Sequence, residues 1–242
     1  MAMKYYVTDS QYKALHVKYV EETLHDTIKA LGGITDYKEE DERAVLRITL
    51  PDGYAKHFCR SIEEAVTNAI IIGYKWELFQ REVKVEGLEE AEYQYFLNVL
   101  IAADYVFDIG YVLKRTGTSP YSIDGIYNFS IAQMIKKWRK IAEDVPYLYD
   151  KNQLRSFVEF ACQGHSNEKY YVSKDGVFNA AHVRMRKSML TGGYDLLKEL
   201  LIACPGSIEL DCPLEEEQEK MIKFYFGKKI LFGKNYIAQK ND

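Results

Sequence analysis

Residues 122–164 constrain the fold more than any other stretch, because Pro146 divides two helical patterns that stand back to back. In the first, Ile131, Met134, Ile135, Trp138, Ile141, Ala142 and Val145 recur at i, i+3, i+4 and i+7, so one face of a helix must be buried. Ser122 and Asp124 offer N-terminal caps, and the missing donor of Pro146 predicts a boundary near residues 143–145. In the second, Asp150 can cap while Gln153 reaches back in a variant of the capping box. Leu154, Phe157, Val158 and Ala161 then form a stripe that Gly164 closes. Two antiparallel helices joined by a short proline turn are expected.

The chain of 242 residues has an apolar fraction of 47%, enough for a substantial core. Its net charge of −4 exerts no general pull on nucleic acid or anionic membrane. Cys59, Cys162, Cys204 and Cys212 are spaced too widely for a zinc knuckle, so no metal is expected. The opening MAMKYYVTDS lacks a basic region followed by an apolar one, and no apolar run approaches the length of a membrane span. A cytoplasmic protein with reduced thiols, no membrane association and no cofactor is the expectation.

Along the chain, residues 4–7 read as an edge strand, and Leu15, Tyr19, Val20, Leu24, Ile28 and Leu31 trace a helix ending at Gly32 and Gly33. The acidic run at residues 39–42 reads as a solvated loop. Val45, Arg47 and Thr49 alternate with Leu46, Ile48 and Leu50, predicting a half-buried strand closed by a turn at Pro51, Asp52 and Gly53. Ser61 with Glu64 predicts a capping box opening a helix, in which Gly73 is a tolerated defect. Residues 88–115 predict one further helix, the most buried of the set, and residues 115–120 a loop. After residue 164, a hairpin around Asp175 and Gly176 precedes alternating helices and strands, the order β, β, α, β, α, β. The fold class is therefore α+β: a small N-terminal sheet segment (1–58), a helical middle (59–166) and a C-terminal α/β module (167–242).

The IDGIYNFSIAQMIKKW and D-x-x-x-L-R-x-F-V-E-F helices, the YYVSKDGVF hairpin and the LLIACPGSIELD unit together resemble the YtxC-like sporulation protein family of endospore-forming bacteria. Ser130 and Gln133 stand where that family's helix carries basic residues. The resemblance implies a sporulation setting and transfers no catalytic residue.

KKWRK, residues 136–140, places four cations around a Trp, a composition suited to phosphates and stacked bases. Helical geometry turns Lys136 and Lys140 away from the apolar stripe, sends Lys137 and Arg139 to its two flanks and points Trp138 into the core. HVRMRK, residues 182–187, would place Arg184 and Arg186 on one face of a strand beside His182 and Lys187, a possible anion contact or a charge-protected edge. Of His16, His25, His57, His165 and His182, only His165 lies close to a thiol, Cys162, and packing is the simpler reading of that pair. Gly192 and Gly193 lack the lysine of a P-loop.

With no convergent catalytic set, the sequence reads as a non-enzymatic interaction or structural protein with an unidentified protein partner and no catalytic, cofactor or metal residue. A nucleic-acid-binding protein using Lys136, Lys137, Arg139, Arg184 and Arg186 is the first alternative. A phosphate-ester or nucleotide-handling enzyme using Arg184, Arg186 and the Gly192–Gly193 turn is the second.

Overall fold

Alternation in the segment Arg43–Leu50 (β3) buries Ala44, Leu46, Ile48 and Leu50 on one face, as the period of a strand requires. The computed structural model describes residues 2–51, 53, 55–163 and 168–240. The residue 51–53 turn at Asp52, the helix stop at Gly164 and the Cys162–His165 pair therefore involve positions outside the described residues. The fold is α+β, 59% helix and 19% strand, with two mixed four-stranded sheets. Two compact units divide the chain: Met1–Glu82, Tyr105–Glu143 and Met189–Thr191 form the first, and Val83–Asp104, Asp144–Ser188 and Gly192–Asp242 the second. The predicted helical middle contributes to both.

In the first unit the strands are β1 (Met3–Ser10), β2 (Ile34–Glu40), β3 and β4 (Tyr121–Ser122), in the order β2-β3-β1-β4. The predicted edge strand is thus interior: β1 pairs antiparallel with β3 and parallel with β4. The edges are β4 and β2, and part of β2 reads in sequence as an acidic loop. Its polar composition suits an edge, where charge discourages pairing with another chain. Arg47 reaches across to Asp36 at 2.8 Å, and Asp41 and Glu42 supply the two positive φ angles of a tight hairpin turn. Helix α1 (Ala14–Ala30) packs on β1 and β3 through Val17, Val20, Leu24 and Ile28.

The next helix is continuous through α2 (Ala55–Asn68), a π-helical segment Ala69–Tyr74, and α3 (Lys75–Glu82). Ser61 lies inside α2 and caps nothing, and Glu64 is taken by Arg60 at 2.9 Å. Gly73 is no defect. A Cβ there would stand 2.5 Å from His16 Nε2, so the close approach of α1 requires glycine. The 88–115 pattern breaks at Asp104 into α4 (Glu90–Ala103), in the second unit, and α5 (Tyr105–Leu113), in the first. Val106 and Phe107 on α5 are exposed, whereas α4 is buried through most of its second half. The capping box at this helix start is Glu89 with Glu92.

Ser122 caps only the short turn α6 (Ile123–Gly125), which runs into a second π segment, Ile126–Ser130, before α7 (Ala132–Asp144). Met134, Trp138 and Ala142 are buried, and the helix stops ahead of Pro146 as its missing donor demands.

In the second unit α8 (Lys151–Gln163) opens with the predicted box: Asp150 accepts from Gln153 N at 2.9 Å, and Gln153 Oε1 accepts from Asp150 N at 2.8 Å. Strands β5 (Lys169–Ser173), β6 (Gly176–Phe178), β7 (Ser207–Leu210) and β8 (Ile230–Phe232) are ordered β6-β5-β7-β8. Helix α9 (Leu196–Ala203) and helix α10 (Glu216–Phe226) make the crossovers that let β5, β7 and β8 run parallel. A short helix, α11 (Lys234–Lys240), follows. Among the described residues no single helix is long and apolar enough to cross a membrane.

Candidate functional site

The cations that the sequence singles out divide between the units. On α7, Lys136 and Lys140 are exposed, and Lys140 lies 3.8 Å from Glu143. Arg139 stands 3.5 Å from Glu82, while Lys137 sits 3.6 Å from Asp108 and over the ring of Phe107. Trp138 is fully buried and donates to Asp108 Oδ2 at 2.9 Å, so its ring is part of the core and offers no stacking face to a base.

The strand expected at residues 182–187 does not form. Asn179 Oδ1 captures the amides of Ala181 and Val183, placing His182 at φ 55, and Glu199 captures those of Lys187 and Ser188 at the start of a 3₁₀ turn, Lys187–Thr191. Side-chain acceptors thus replace a ladder, leaving one antiparallel bridge between Arg184 and Phe178. Arg184 and Arg186 do not share a strand face. Arg184 lies over Tyr194 at 5.1 Å, His182 stacks on Tyr171 at 4.7 Å, and Arg186 precedes the 3₁₀ turn. Gly192 and Gly193 carry the positive φ angles of the turn before α9, whose first amides are capped by Asp195.

Two polar groupings in the first unit have no sequence motif. Asp9 is fully buried at the end of β1 and accepts from His16 Nδ1 at 2.8 Å, from the Tyr74 hydroxyl at 2.7 Å and from Ser10 N at 2.7 Å. Burial and the Asp9 charge drive the Tyr74 hydroxyl far above its ordinary pKa, so it stays a donor. Both π segments converge here, stacking Tyr74 on Tyr127 with ring centroids 4.2 Å apart. Arg43 and Asp124 pair beside this centre, with Thr8 3.0 Å from the guanidinium. The imidazole of His16 is closed: one nitrogen is held by Asp9 and the other faces Gly73. Deeper in, Lys75 and Asp108 pair at 2.7 Å with both side chains shielded from solvent. These residues bind strand, helix and π segment together and present no open acid or base.

An open groove of about 540 Å³ lies in the second unit, between the extended residues 147–149 and α8. Pro146, Leu148 and Tyr149 form one wall, and Gln153, Ser156 and Phe157 the other. Phe96 of α4 supports both, with ring centroids 5.0 Å from Tyr149 and 5.8 Å from Phe157. The first wall is held by backbone bonds, Glu86 N to Tyr147 O at 2.7 Å and Tyr149 N to Glu86 O at 2.9 Å. Gly87, at φ 92, lets Tyr149 O approach where a Cβ would stand 2.4 Å away. On this frame Leu148 is 69% exposed, and Tyr147 and Phe160, also exposed, lie outside the groove's lining. Apolar side chains of this size left in water on a fixed frame are suited to an apolar segment of another molecule.

Among the described residues no group of three or more His, Cys, Asp and Glu is placed to hold a metal ion. No protein-family model, no curated protein and no solved structure matches the chain.

Proposed function

We propose that the protein is a non-enzymatic interaction protein that seats an apolar, aromatic-bearing segment of a partner protein in the groove beside α8. The exposure of Leu148 opposite a half-buried Phe157, in a groove whose frame is fixed by Glu86, Gly87 and the Asp150–Gln153 box, carries this reading. Such preorganisation reduces the ordering cost of association. The resemblance noted in the sequence supports placing this role in the cytoplasm of a sporulating bacterium.

The test is a display selection of short peptides against the purified chain. Binders rich in Phe, Trp or Leu are expected, weakened about tenfold or more by Leu148→Asp, a loss of at least about 1.4 kcal/mol. Gly87→Ala, which displaces the Tyr149 wall, should weaken them too. Peptide binding indifferent to both substitutions removes the groove from the account. Specific turnover in a broad substrate screen, abolished by a single pocket substitution, overturns the non-enzymatic reading. The nucleic-acid alternative has less support, since Lys137, Arg139 and Lys140 each face an acidic neighbour and Trp138 is core.

A further inference from the structure

The first wall of the groove beside α8 is itself the edge of a minimal sheet. Glu86 bonds to both neighbours of Leu148, donating to Tyr147 O at 2.7 Å and accepting from Tyr149 N at 2.9 Å, so that Glu86 and Leu148 form a parallel bridge. Backbone groups of successive residues in an extended chain point to opposite sides, so the N–H and C=O of Leu148 face away from Glu86. Among the described residues neither group has a partner. Leu148 is exposed and lines the groove, which leaves this edge open to another chain. Across the groove, the first two turns of α8 present Gln153, Ser156 and Phe157 at the i, i+3, i+4 spacing of one helical face. Among the described residues that line the groove, Asp150 alone is charged.

We infer that the occupant of the groove is an extended segment of the partner, added to this edge as a strand and carrying a Lys or Arg at the Asp150 end. The inference rests on the groove reading proposed above and fixes the conformation and charge of what the groove seats. A helical segment satisfies its own backbone groups, so on docking it would strip water from Leu148 N–H and C=O and return no partner to either. An extended segment supplies both: one of its carbonyls accepts from Leu148 N, and one of its amides donates to Leu148 O. Its side chains alternate between two faces, so only every second one can reach Phe157. The apolar anchors of the partner are therefore spaced two residues apart. The carboxylate of Asp150, with no cation beside it in the lining, favours a basic residue in the segment and disfavours an acidic one.

The test uses the unsubstituted full chain and two synthetic peptides, each acetylated and amidated: Lys-Thr-Phe-Val-Leu-Thr, whose composition favours an extended chain, and a helix-stapled peptide bearing the same Lys, Phe and Leu. The first is expected to bind more tightly and to slow hydrogen exchange at the Leu148 amide by about tenfold or more. N-methylation of one peptide amide at a time should weaken binding about tenfold or more at the amide that meets Leu148 O, and little at its two neighbours. Replacing the peptide Lys by Glu should weaken binding about threefold, a difference that high salt removes. If the stapled helix binds more tightly, if methylation is tolerated at every amide, or if exchange at Leu148 is unchanged, the extended-strand inference is wrong and the groove reading stands. A Glu peptide that binds as tightly as the Lys peptide overturns the assignment of charge. If neither peptide binds at about 1 mM, the groove reading fails and this inference fails with it.

Discussion

Around Asp9 in the first unit aromatic and ionisable side chains turn onto one another and close, whereas beside α8 in the second an apolar surface is left open, as Tyr12, Phe107 and Phe129 are elsewhere in the first. Asp9, His16 and Tyr74 satisfy one another in the interior, and Lys75 pairs with Asp108 Oδ2 in the same unit. Leu148 and Phe160 have no such closure. Buried polar groups are costly unless paired, so they hold a fold in one arrangement. Exposed apolar groups contribute little to folding and are available to a partner. The proposed function therefore rests on the plainer apolar groove and not on the titratable cluster.

The largest effect that separates the units is expected at Lys75. Lys75→Ala leaves the Asp108 carboxylate buried without its cation and should destabilise the first unit by about 3–5 kcal/mol. Both tryptophans, Trp76 and Trp138, lie in that unit, so their fluorescence in a urea titration reports it selectively. A Lys75→Met, Asp108→Leu double variant should recover most of the loss, and a loss that simply adds would show that the pair is not the unit of stabilisation.

Gly73→Ala comes next. Helix propensity alone predicts a gain of about 1 kcal/mol, whereas the clash with His16 predicts a loss of about 1–3 kcal/mol. The same titration distinguishes the two by sign.

The units should also respond oppositely to pH. At Asp124 burial works to raise the carboxyl pKa, but the hydrogen bonds from Arg43 and Ser122 prevail and lower it. Its folded form binds a proton less tightly than the unfolded chain, so its stabilisation is present above the ordinary aspartate pKa and is lost as pH falls through the lower folded value. At Glu199 burial prevails over the Ser188 and Lys187 hydrogen bonds and raises the pKa. Its folded form binds a proton more tightly, so stability declines as pH rises from the ordinary glutamate value through the raised one. Hydrogen exchange resolved by peptide should show both slopes, with Asp124→Asn removing the first and Glu199→Gln the second.

The smallest stability effect is expected where the functional effect is greatest. Leu148→Asp and Phe160→Ser should each change folding stability by no more than about 0.5 kcal/mol, while Leu148→Asp, which alters the groove's lining, weakens peptide capture. A large loss of stability on either substitution would make the groove a packing surface and erase the contrast between the units.

Much of the framework is legible in residue order, because it rests on local rules. The Met134, Trp138 and Ala142 stripe, the stop before Pro146, the Asp150–Gln153 box, the alternation through Leu46 and Ile48, and the β, β, α, β, α, β order of the last segment each depend on neighbours a few residues apart. Where a local rule has a nonlocal competitor, it fails. Ser61 and Glu64 have capping-box spacing, yet the helix already runs from Ala55. Residues 182–187 alternate like a strand, yet Asn179 and Glu199 take the amides that a ladder needs.

The sequence by itself determined the periodicities, the helix stop before Pro146 and the α+β class, since these follow from side-chain spacing and backbone chemistry. Only tertiary structure decided that β1 is interior, that Gly73 yields to an imidazole and that Leu148 and Phe160 stay in water. Each of those depends on which distant segment arrives at a given surface, and the separation along the chain carries no signal of that encounter.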